Sequence, residues 1–258
     1  MRIGIICYPT FGGSGVVATE LGIELSKRGH HIHFMAYKKP VRLDTDLERI
    51  HFHEVHVPNY PLFHYKPYEL ALSSALVDMV RLHKIDLLHA HYAIPHAYAA
   101  FMAKQMLAEL QINTPIVTTL HGSDITLVGS HPFYKPAVTF SINNSDVVTC
   151  VSKSLKYDTK DIFNVKMEID VVPNFIDIQK YERLRNTCSR EQLVKPDERL
   201  VTHVSNFRPV KRVQDVLYVF EKVNKKVKSR LILVGDGPER QSAEEYTKEL
   251  GLSDVVDF

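Results

Sequence analysis

The chain has 258 residues, 45% of them apolar and 24% charged, and its 32 basic residues nearly balance 30 acidic ones. This charge argues against a nucleic-acid-binding protein, which needs a broad basic face, and no apolar run approaches the ~20 residues of a membrane span. Three scattered cysteines and the absence of a signal-peptide pattern predict a reduced, cytoplasmic setting without disulfides.

The first part of the chain alternates between strand-like and helix-like segments. Short runs rich in β-branched and apolar residues predict strands at 2–7, 31–37, 50–57, 85–91, 114–121, 146–152 and 168–173. Segments with apolar residues at helical spacing predict helices at 15–29, 68–84 and 97–111. Alternation of this kind predicts an α/β fold with a mostly parallel sheet covered by helices on both faces.

A polar, charged run interrupts this pattern before it starts again. We predict an N-terminal Rossmann-like domain at 1–174, a linker at 175–198 and a C-terminal domain at 199–258. The second domain has predicted strands at 199–207 and 230–237, predicted helices at 213–227 and 239–251, and the start of a third strand in "DVVDF". Because this sheet is thin for a doubly wound domain, we expect the second domain to be incomplete in this chain.

The stretch "GGSGVVATELG" predicts a strand-to-helix turn in which Gly13 and Gly15 flank Ser14. The start of a helix suits a phosphate group, but a tight turn that needs glycine for geometry alone is equally consistent with the pattern. The stretch also fits the dinucleotide pattern G-x-G-x-x-A, although the next strand ends in Lys38 and Lys39 where an acidic residue is expected. An NADP-binding oxidoreductase therefore remains an alternative, weakened by the long lead-in Tyr8–Phe11.

Two turns of the second domain have the composition of a nucleotide site. The first places Asn206, Arg208, Lys211 and Arg212 between a strand and a helix, where basic side chains suit a diphosphate. The second is the turn "GDGP", residues 235–238, after the neighbouring strand. Together they predict a nucleotide-sized crevice.

Histidines follow several of the predicted strands. His121 ends one strand in "HGSD", level with the glycine loop, and a structural and a functional role are about equally supported. His89, His91 and His96 have a spacing that suits a metal, but without a matching carboxylate set they are better interpreted as lining a polar pocket. Alternating histidines in "HHIHF" and "HFHEVHV" are typical of amphipathic edge strands, so we expect no metal site.

The collected motifs resemble a known family. "HVSNFRPVKR", "VVPNFID" and "LVGDGPE" are similar to motifs of the retaining GT-B glycosyltransferases of family 4. "CYPTFGGSGVVATELG", "HYAIPHA" and "TLHGSDITLVG" resemble the members that act in bacillithiol biosynthesis. The resemblance implies transfer of N-acetylglucosamine from UDP-N-acetylglucosamine (UDP-GlcNAc) to the hydroxyl of L-malate, by two Rossmann-like domains and without a metal or other cofactor.

The same resemblance implies roles for individual residues. The catalytic candidates are His121, Arg208 and Lys211, and the candidates for donor binding are Gly13, Gly15, Asn206, Arg208, Lys211, Gly235 and Gly237. Asn206 stands where many relatives have arginine, which departs from the family pattern. The candidates for acceptor binding are Ser14, Tyr92, Thr119 and Arg42, the last with the least support.

The resemblance also implies a mechanism and a missing part. Attack from the front face, with the leaving phosphate accepting the acceptor's proton, requires no side-chain nucleophile. The family has a pair of glutamates further along the second domain, and we expect this chain to end before them and to bind donor poorly by itself. A family 4 transferase with another donor or acceptor is the nearest alternative, and formation of a homo-oligomer stays open.

Overall fold

The computed structural model describes residues 1–10, 12–44, 46–59, 61–62, 64–178 and 190–258. The chain divides into two compact units, Met1–Ile176 and Asp177–Phe258, which we call unit 1 and unit 2. The proposed linker at 175–198 spans this division, and its residues 179–189 lie outside the described residues, as does Phe11 of the glycine-loop lead-in. None of the helices in the described ranges is long and apolar enough to cross a membrane.

Unit 1 contains a seven-stranded sheet in which every neighbouring pair is parallel. The strands are β1 (Arg2–Ile6), β2 (His31–Ala36), β3 (Ile50–Glu54), β4 (Leu87–His91), β5 (Ile116–Leu120), β6 (Val147–Cys150) and β7 (Ile169–Val171). Their order is β3-β2-β1-β4-β5-β6-β7, so the direction of strand addition reverses between β1 and β4. Ligands of doubly wound sheets bind beside such a reversal, at the carboxyl ends of the strands.

The α-helices beside this sheet, within the described ranges, are α1 (Ser14–Lys27), α2 (Tyr68–His83), α3 (Tyr98–Glu109), α4 (Ser123–Thr126), α5 (Lys135–Asn143) and α6 (Lys153–Ile162). Apolar side chains bury both faces of the sheet. Ile5, Ile32 and Phe34 belong to the core on the α1 side, whereas Leu76 and Leu88 belong to the core of α2 and α3. The predicted α/β architecture of the first domain is confirmed.

Unit 2 has a smaller parallel sheet of three strands, in the order β10-β9-β8. These strands are β8 (Arg199–Val204), β9 (Ser229–Val234) and β10 (Val256–Asp257), accompanied by the helices α7 (Val213–Asn224) and α8 (Arg240–Glu249). Phe207, Leu217 and Leu233 are fully buried in its core. The strand predicted to begin in "DVVDF" is present as β10.

Candidate functional site

The candidate site of unit 1 lies at the carboxyl ends of β1, β4 and β5, which are neighbours at the strand reversal. The chain leaves β1 into the glycine loop, leaves β4 into the segment Ala93–Ala97, and leaves β5 into the turn before α4. The position of this edge therefore follows from the strand order, and it collects three of the motifs that the sequence singles out.

The glycine loop owes its residue types to two different constraints. Gly13 has φ 60 and ψ −126, a backbone conformation that other residues rarely adopt, and a Cβ there would meet no atom within 4 Å. Gly15 is constrained by packing, because a Cβ would lie 2.3 Å from the carbonyl oxygen of Tyr8. The first turn of α1, which begins at the buried Ser14, contains no acidic residue, so the positive end of its dipole is not neutralised there.

His121 is held by a ring from the neighbouring strand. Its Nε2 lies 2.9 Å from Nδ1 of His91, and the two rings stack with centroids 5.1 Å apart. The ring of Tyr92 also stacks on that of His121, with centroids 5.6 Å apart. His96 in turn donates a hydrogen bond of 2.6 Å from Nδ1 to the carbonyl oxygen of His91. His91 at the end of β4, His96 in the segment after it and His121 after β5 therefore form one connected group.

Asp124 fixes the turn that carries His121. Its carboxylate accepts backbone hydrogen bonds from His121 at 3.1 Å, Gly122 at 2.9 Å and Ala93 at 3.2 Å. The side chain is 1% exposed, and burial raises its pKa while these three N–H groups oppose the rise. Because Ala93 follows β4 and His121 follows β5, the carboxylate joins the two loops.

The imidazoles of this group and of His89, whose ring stacks on that of His91 with centroids 4.5 Å apart, are held neutral. Burial lowers the pKa of His89, His96 and His121 to about 4, and it lowers that of His91 well below the usual value. Neighbouring imidazoles add to the effect at His91 and His121, because a second positive charge nearby is unfavourable. At neutral pH these rings can donate and accept hydrogen bonds but carry no charge.

The polar groups of three of the predicted acceptor-binding residues already have hydrogen-bond or ion-pair partners, and these partners differ. The hydroxyl of Thr119 lies 2.7 Å from both Nε2 of His89 and Oγ1 of Thr149. The hydroxyl of Tyr92 lies 2.7 Å from Oγ of Ser123. Arg42 is an exposed residue whose Nη1 lies 3.3 Å from a carboxylate oxygen of Glu20.

An aromatic cavity of about 600 Å³ lies beside this edge of unit 1. Tyr8 connects the two, since its ring packs edge-on against Tyr92 at 5.2 Å and lies 4.5 Å from the ring of His96. Glu69 is the single charged residue among the described residues that line the cavity, so the cavity itself offers a dicarboxylate no cation. The lining consists of Tyr8, Tyr37, Tyr68, Glu69, Ile94, Pro95, Tyr98, Val128, Tyr134 and Ala137.

In unit 2 the turns after β8 and β9 pack directly against each other. A Cβ on Gly235 would lie 1.8 Å from the carbonyl oxygen of Ser205, and one on Gly237 would lie 2.2 Å from that of Asn206. The backbone N–H of Glu239 also donates a hydrogen bond of 3.0 Å to the carbonyl oxygen of Phe207. The two glycines of the predicted "GDGP" turn therefore permit the backbone contact that fixes the basic turn.

The basic residues of the turn after β8 differ in whether they have an acidic partner. Arg212 forms an ion pair with Asp215, three residues further along the chain. Arg208 and Lys211 are exposed, and neither has a carboxylate at ion-pair distance within residues 190–258 or the other described ranges. They are consequently available for an anionic ligand. Oδ1 of Asn206 is buried and lacks a hydrogen-bond partner among the same described residues.

Sequence reasoning missed the connecting roles of His91 and Asp124. The pairing of His91 with His121 joins residues 30 positions apart and depends on β4 and β5 being neighbours. Asp124 could have been found, because an acidic side chain in the first turn of a helix often accepts nearby backbone N–H groups. The predicted catalytic and binding roles of all the candidate residues stay predictions.

Each of the two units matches a family of glycosyltransferases. The family described as Glycosyltransferase Family 4 matches residues 11–180, and the one described as Glycosyl transferases group 1 matches residues 185–258. The chain is 46% identical over 259 aligned residues to N-acetyl-alpha-D-glucosaminyl L-malate synthase of Bacillus anthracis, covering 100% of this chain and 67% of that protein. It is 24% identical to alpha-monoglucosyldiacylglycerol synthase of Streptococcus pneumoniae, covering 100% of this chain and 61% of that protein.

Solved structures share the fold at low sequence identity. Sucrose-phosphate synthase from Thermosynechococcus elongatus superposes with a TM-score of 0.77 at 16% identity, covering 100% of this chain and 70% of that one. Anabaena HepE, solved in complex with UDP and glucose, gives a TM-score of 0.77 at 19% identity, covering 100% and 68%. The predicted architecture of two Rossmann-like units, known as GT-B, is thus confirmed.

Proposed function

The chain belongs to glycosyltransferase family 4, and we propose that it transfers N-acetylglucosamine from UDP-GlcNAc to the hydroxyl of L-malate, the first step of bacillithiol biosynthesis. The observation that carries this proposal is the 46% identity to the Bacillus anthracis synthase over the whole chain. Family membership also favours a transferase over the alternative of an NADP-binding oxidoreductase.

Unit 2 binds the diphosphate of the donor in this proposal. Arg208 and Lys211 are exposed cations without an acidic partner in the described ranges, so binding a diphosphate breaks no existing ion pair. Positive charge placed here stabilises the negative charge that grows on the diphosphate as UDP leaves. Because these two side chains supply that charge, we propose a transfer that uses no metal or other cofactor. The turn Gly235–Gly237 contacts the nucleoside.

His121 binds the sugar as a neutral hydrogen-bond donor in this proposal. Nε2 of His91 is buried and has no hydrogen-bond partner in the described part of the chain. An unprotonated ring nitrogen without a donor is less costly to bury than an N–H group without an acceptor. This places the hydrogen of His91 on Nδ1, from which it is donated to Nε2 of His121. His121 then carries its own hydrogen on Nδ1, which is left to donate to a sugar oxygen.

Unit 1 also supplies the acceptor contacts. Ser14 lies at the start of α1, whose first turn has no acidic residue, and its hydroxyl and backbone N–H suit a carboxylate of malate. Tyr92 and Thr119 lie at the ends of β4 and β5, close to His121. Arg42 binds the other carboxylate in exchange for its contact with Glu20. In the aromatic cavity, by contrast, a dicarboxylate would find Glu69 as the charged neighbour.

The proposed reaction retains the configuration at the anomeric carbon. The bond from that carbon to the diphosphate oxygen breaks, and the malate hydroxyl oxygen attacks from the same face. The departing phosphate oxygen accepts the hydroxyl proton, so UDP and the glycoside are the products. The neutral histidines of unit 1 orient the sugar and do not serve as the base, since burial lowers the pKa of His121 to about 4.

Product analysis tests this function. The protein in its full natural length is incubated with UDP-GlcNAc and L-malate, and the product is examined by mass spectrometry and proton NMR. We expect one N-acetylhexosamine added to malate and the small anomeric coupling constant of an α-linkage. A β-linked product would overturn retention, and a glycoside formed only with another sugar nucleotide or another acceptor would overturn the substrate assignment.

A further inference from the structure

A second group of histidines lies on the side of the unit 1 sheet that faces α2. His33 on β2, His53 on β3 and His83 at the end of α2 each offer a ring nitrogen, and these nitrogens lie within 4.8 Å of one another. Nδ1 of His33 is 2.9 Å from Nε2 of His53. The ring of His83 lies 4.8 Å from both of the other rings.

The alternation of side chains along β2 explains which face of the sheet His33 occupies. His33 alternates with Ile32 and Phe34, which bury their side chains against α1, so its own side chain lies on the opposite, α2-facing side. On that side the next position of the strand, Met35, belongs to the apolar core with α2. A histidine in this layer, 4% exposed, replaces apolar packing with ring nitrogens.

The three rings span a gradient from interior to solvent. His33 is buried, His53 is half-buried and His83 is exposed. A site with one exposed ligand is accessible to an ion from solution, and the exposed ring can rotate to adjust its distance. Tetrahedral coordination with bonds of about 2.0–2.1 Å separates ligand nitrogens by roughly 3.4 Å, so only small movements are needed.

The protonation state of the group suits a metal. An unperturbed imidazole has a pKa of about 6.5, so histidine rings are mostly neutral at pH 7 and above. A neutral imidazole presents a lone pair, which is the form that coordinates a transition metal. In the contact between His33 and His53, one of the two rings donates a hydrogen to the other. When an ion binds, this hydrogen moves to the other nitrogen of the donating ring, so both rings stay neutral and no proton is released.

We propose that His33, His53 and His83 form a binding site for a divalent transition-metal ion, for which Zn²⁺ is the probe. This replaces the sequence-based expectation of no metal site, because the third ring nitrogen comes from α2 and its contact with the strands is not visible in their sequences. Three imidazoles suit Zn²⁺ and leave its fourth position to water. None of the three histidines is among the residues proposed for sugar transfer, most of which lie at the ends of β1, β4 and β5 or in unit 2. Its ion stabilises the contact of β2 and β3 with the end of α2.

Zinc binding to variants tests this proposal. The chelator-treated protein is titrated with Zn²⁺ in competition with a chromophoric chelator, alongside His83→Gln, His53→Gln and the control His56→Gln. His56 is an exposed histidine of the same segment that lies outside the cluster. Far-UV circular dichroism verifies that each variant is folded.

We expect one Zn²⁺ per wild-type chain, unchanged affinity in His56→Gln, and affinity at least about tenfold weaker in His83→Gln and His53→Gln. Loss of a direct ligand should cost no less than the 10–100-fold typical of losing a ligand's hydrogen-bond partner. Equal affinity in wild type and His83→Gln, or no zinc binding by wild type, would overturn the proposal. The readout is independent of transferase activity, so it separates this proposal from the proposed function.

Discussion

Replacing His96 tests how the buried histidines affect stability. His96 is 0% exposed, and burial lowers its pKa to about 4 although its hydrogen bond to the carbonyl oxygen of His91 acts in the opposite direction. In the unfolded chain the pKa of a histidine is about 6.5. The native state therefore binds fewer protons than the unfolded state between these values, and stability that is present above pH 6.5 is lost as the pH falls toward 4.

The size of the effect follows from the two pKa values. At pH 5 the solution is about 1.5 units below the unfolded pKa, and each unit corresponds to about 1.36 kcal/mol, so His96 alone accounts for about 2 kcal/mol. Carboxyl groups whose pKa is lowered, such as Asp146, lose their contribution mostly at lower pH because their unfolded values lie near 4. Asp124, whose pKa is raised, is present in both wild type and a histidine variant, so the difference between the two proteins reports on the histidine.

The variant His96→Asn isolates this contribution. The amide nitrogen of asparagine can take the place of Nδ1 and donate to the carbonyl oxygen of His91, while the titrating group is removed. Urea unfolding followed by circular dichroism, at pH 7 and pH 5, gives the free energy of unfolding. We expect the variant to be less stable at pH 7, because ring volume is lost, but to lose about 2 kcal/mol less than wild type on acidification.

The exposed His131 provides the control, since His131→Asn should leave the loss on acidification unchanged. An equal loss of stability in wild type and His96→Asn between pH 7 and pH 5 would refute the reasoning.

Three further substitutions separate chemistry from folding. Lys211→Ala should lower turnover about 10²–10³-fold with little change in Tm, because it removes positive charge that stabilises the departing diphosphate. The control Lys226→Ala, on the same unit, should leave turnover unchanged. Equal turnover in the two variants would remove Lys211 from the donor site. Gly15→Ala should destabilise the protein by about 1–3 kcal/mol, because its Cβ would lie 2.3 Å from a backbone carbonyl oxygen. Gly13→Ala should cost a similar amount for a different reason, the backbone conformation of φ 60 and ψ −126. Wild-type stability of Gly15→Ala in urea unfolding would contradict the packing argument. Asp124→Asn replaces one acceptor oxygen with an N–H donor that faces a backbone N–H group. Both kcat and the free energy of unfolding should fall, the free energy by about 1–3 kcal/mol. Wild-type values of both quantities would show that the carboxylate is dispensable.

The fold was largely predictable because its strands are short apolar runs bounded by polar turns. β1 and β4 follow directly from "RIGIIC" and "IDLLHAH". Helices α5 and α6 are short, at nine and ten residues, and were not predicted. The four-residue α4 is defined by Asp124 and the turn before it, and no apolar periodicity marks so short a helix.

The site was predictable as a set of motifs and not as a set of contacts. Which histidines meet depends on strand order: β4 lies beside β5 and brings His91 to His121 across 30 positions of sequence. The contact of His83 with His33 depends in the same way on where α2 ends against β2. Spacing within one strand or helix is visible in a sequence, whereas spacing between elements requires the packed structure.

The measurement that tests the proposed function most directly is UDP release from UDP-GlcNAc by the protein in its full natural length, with and without L-malate. We predict release that depends on L-malate and saturates with it, because the acceptor hydroxyl must attack before UDP departs productively. Release at the same rate without L-malate, or binding of NADPH in place of UDP, would contradict the assignment.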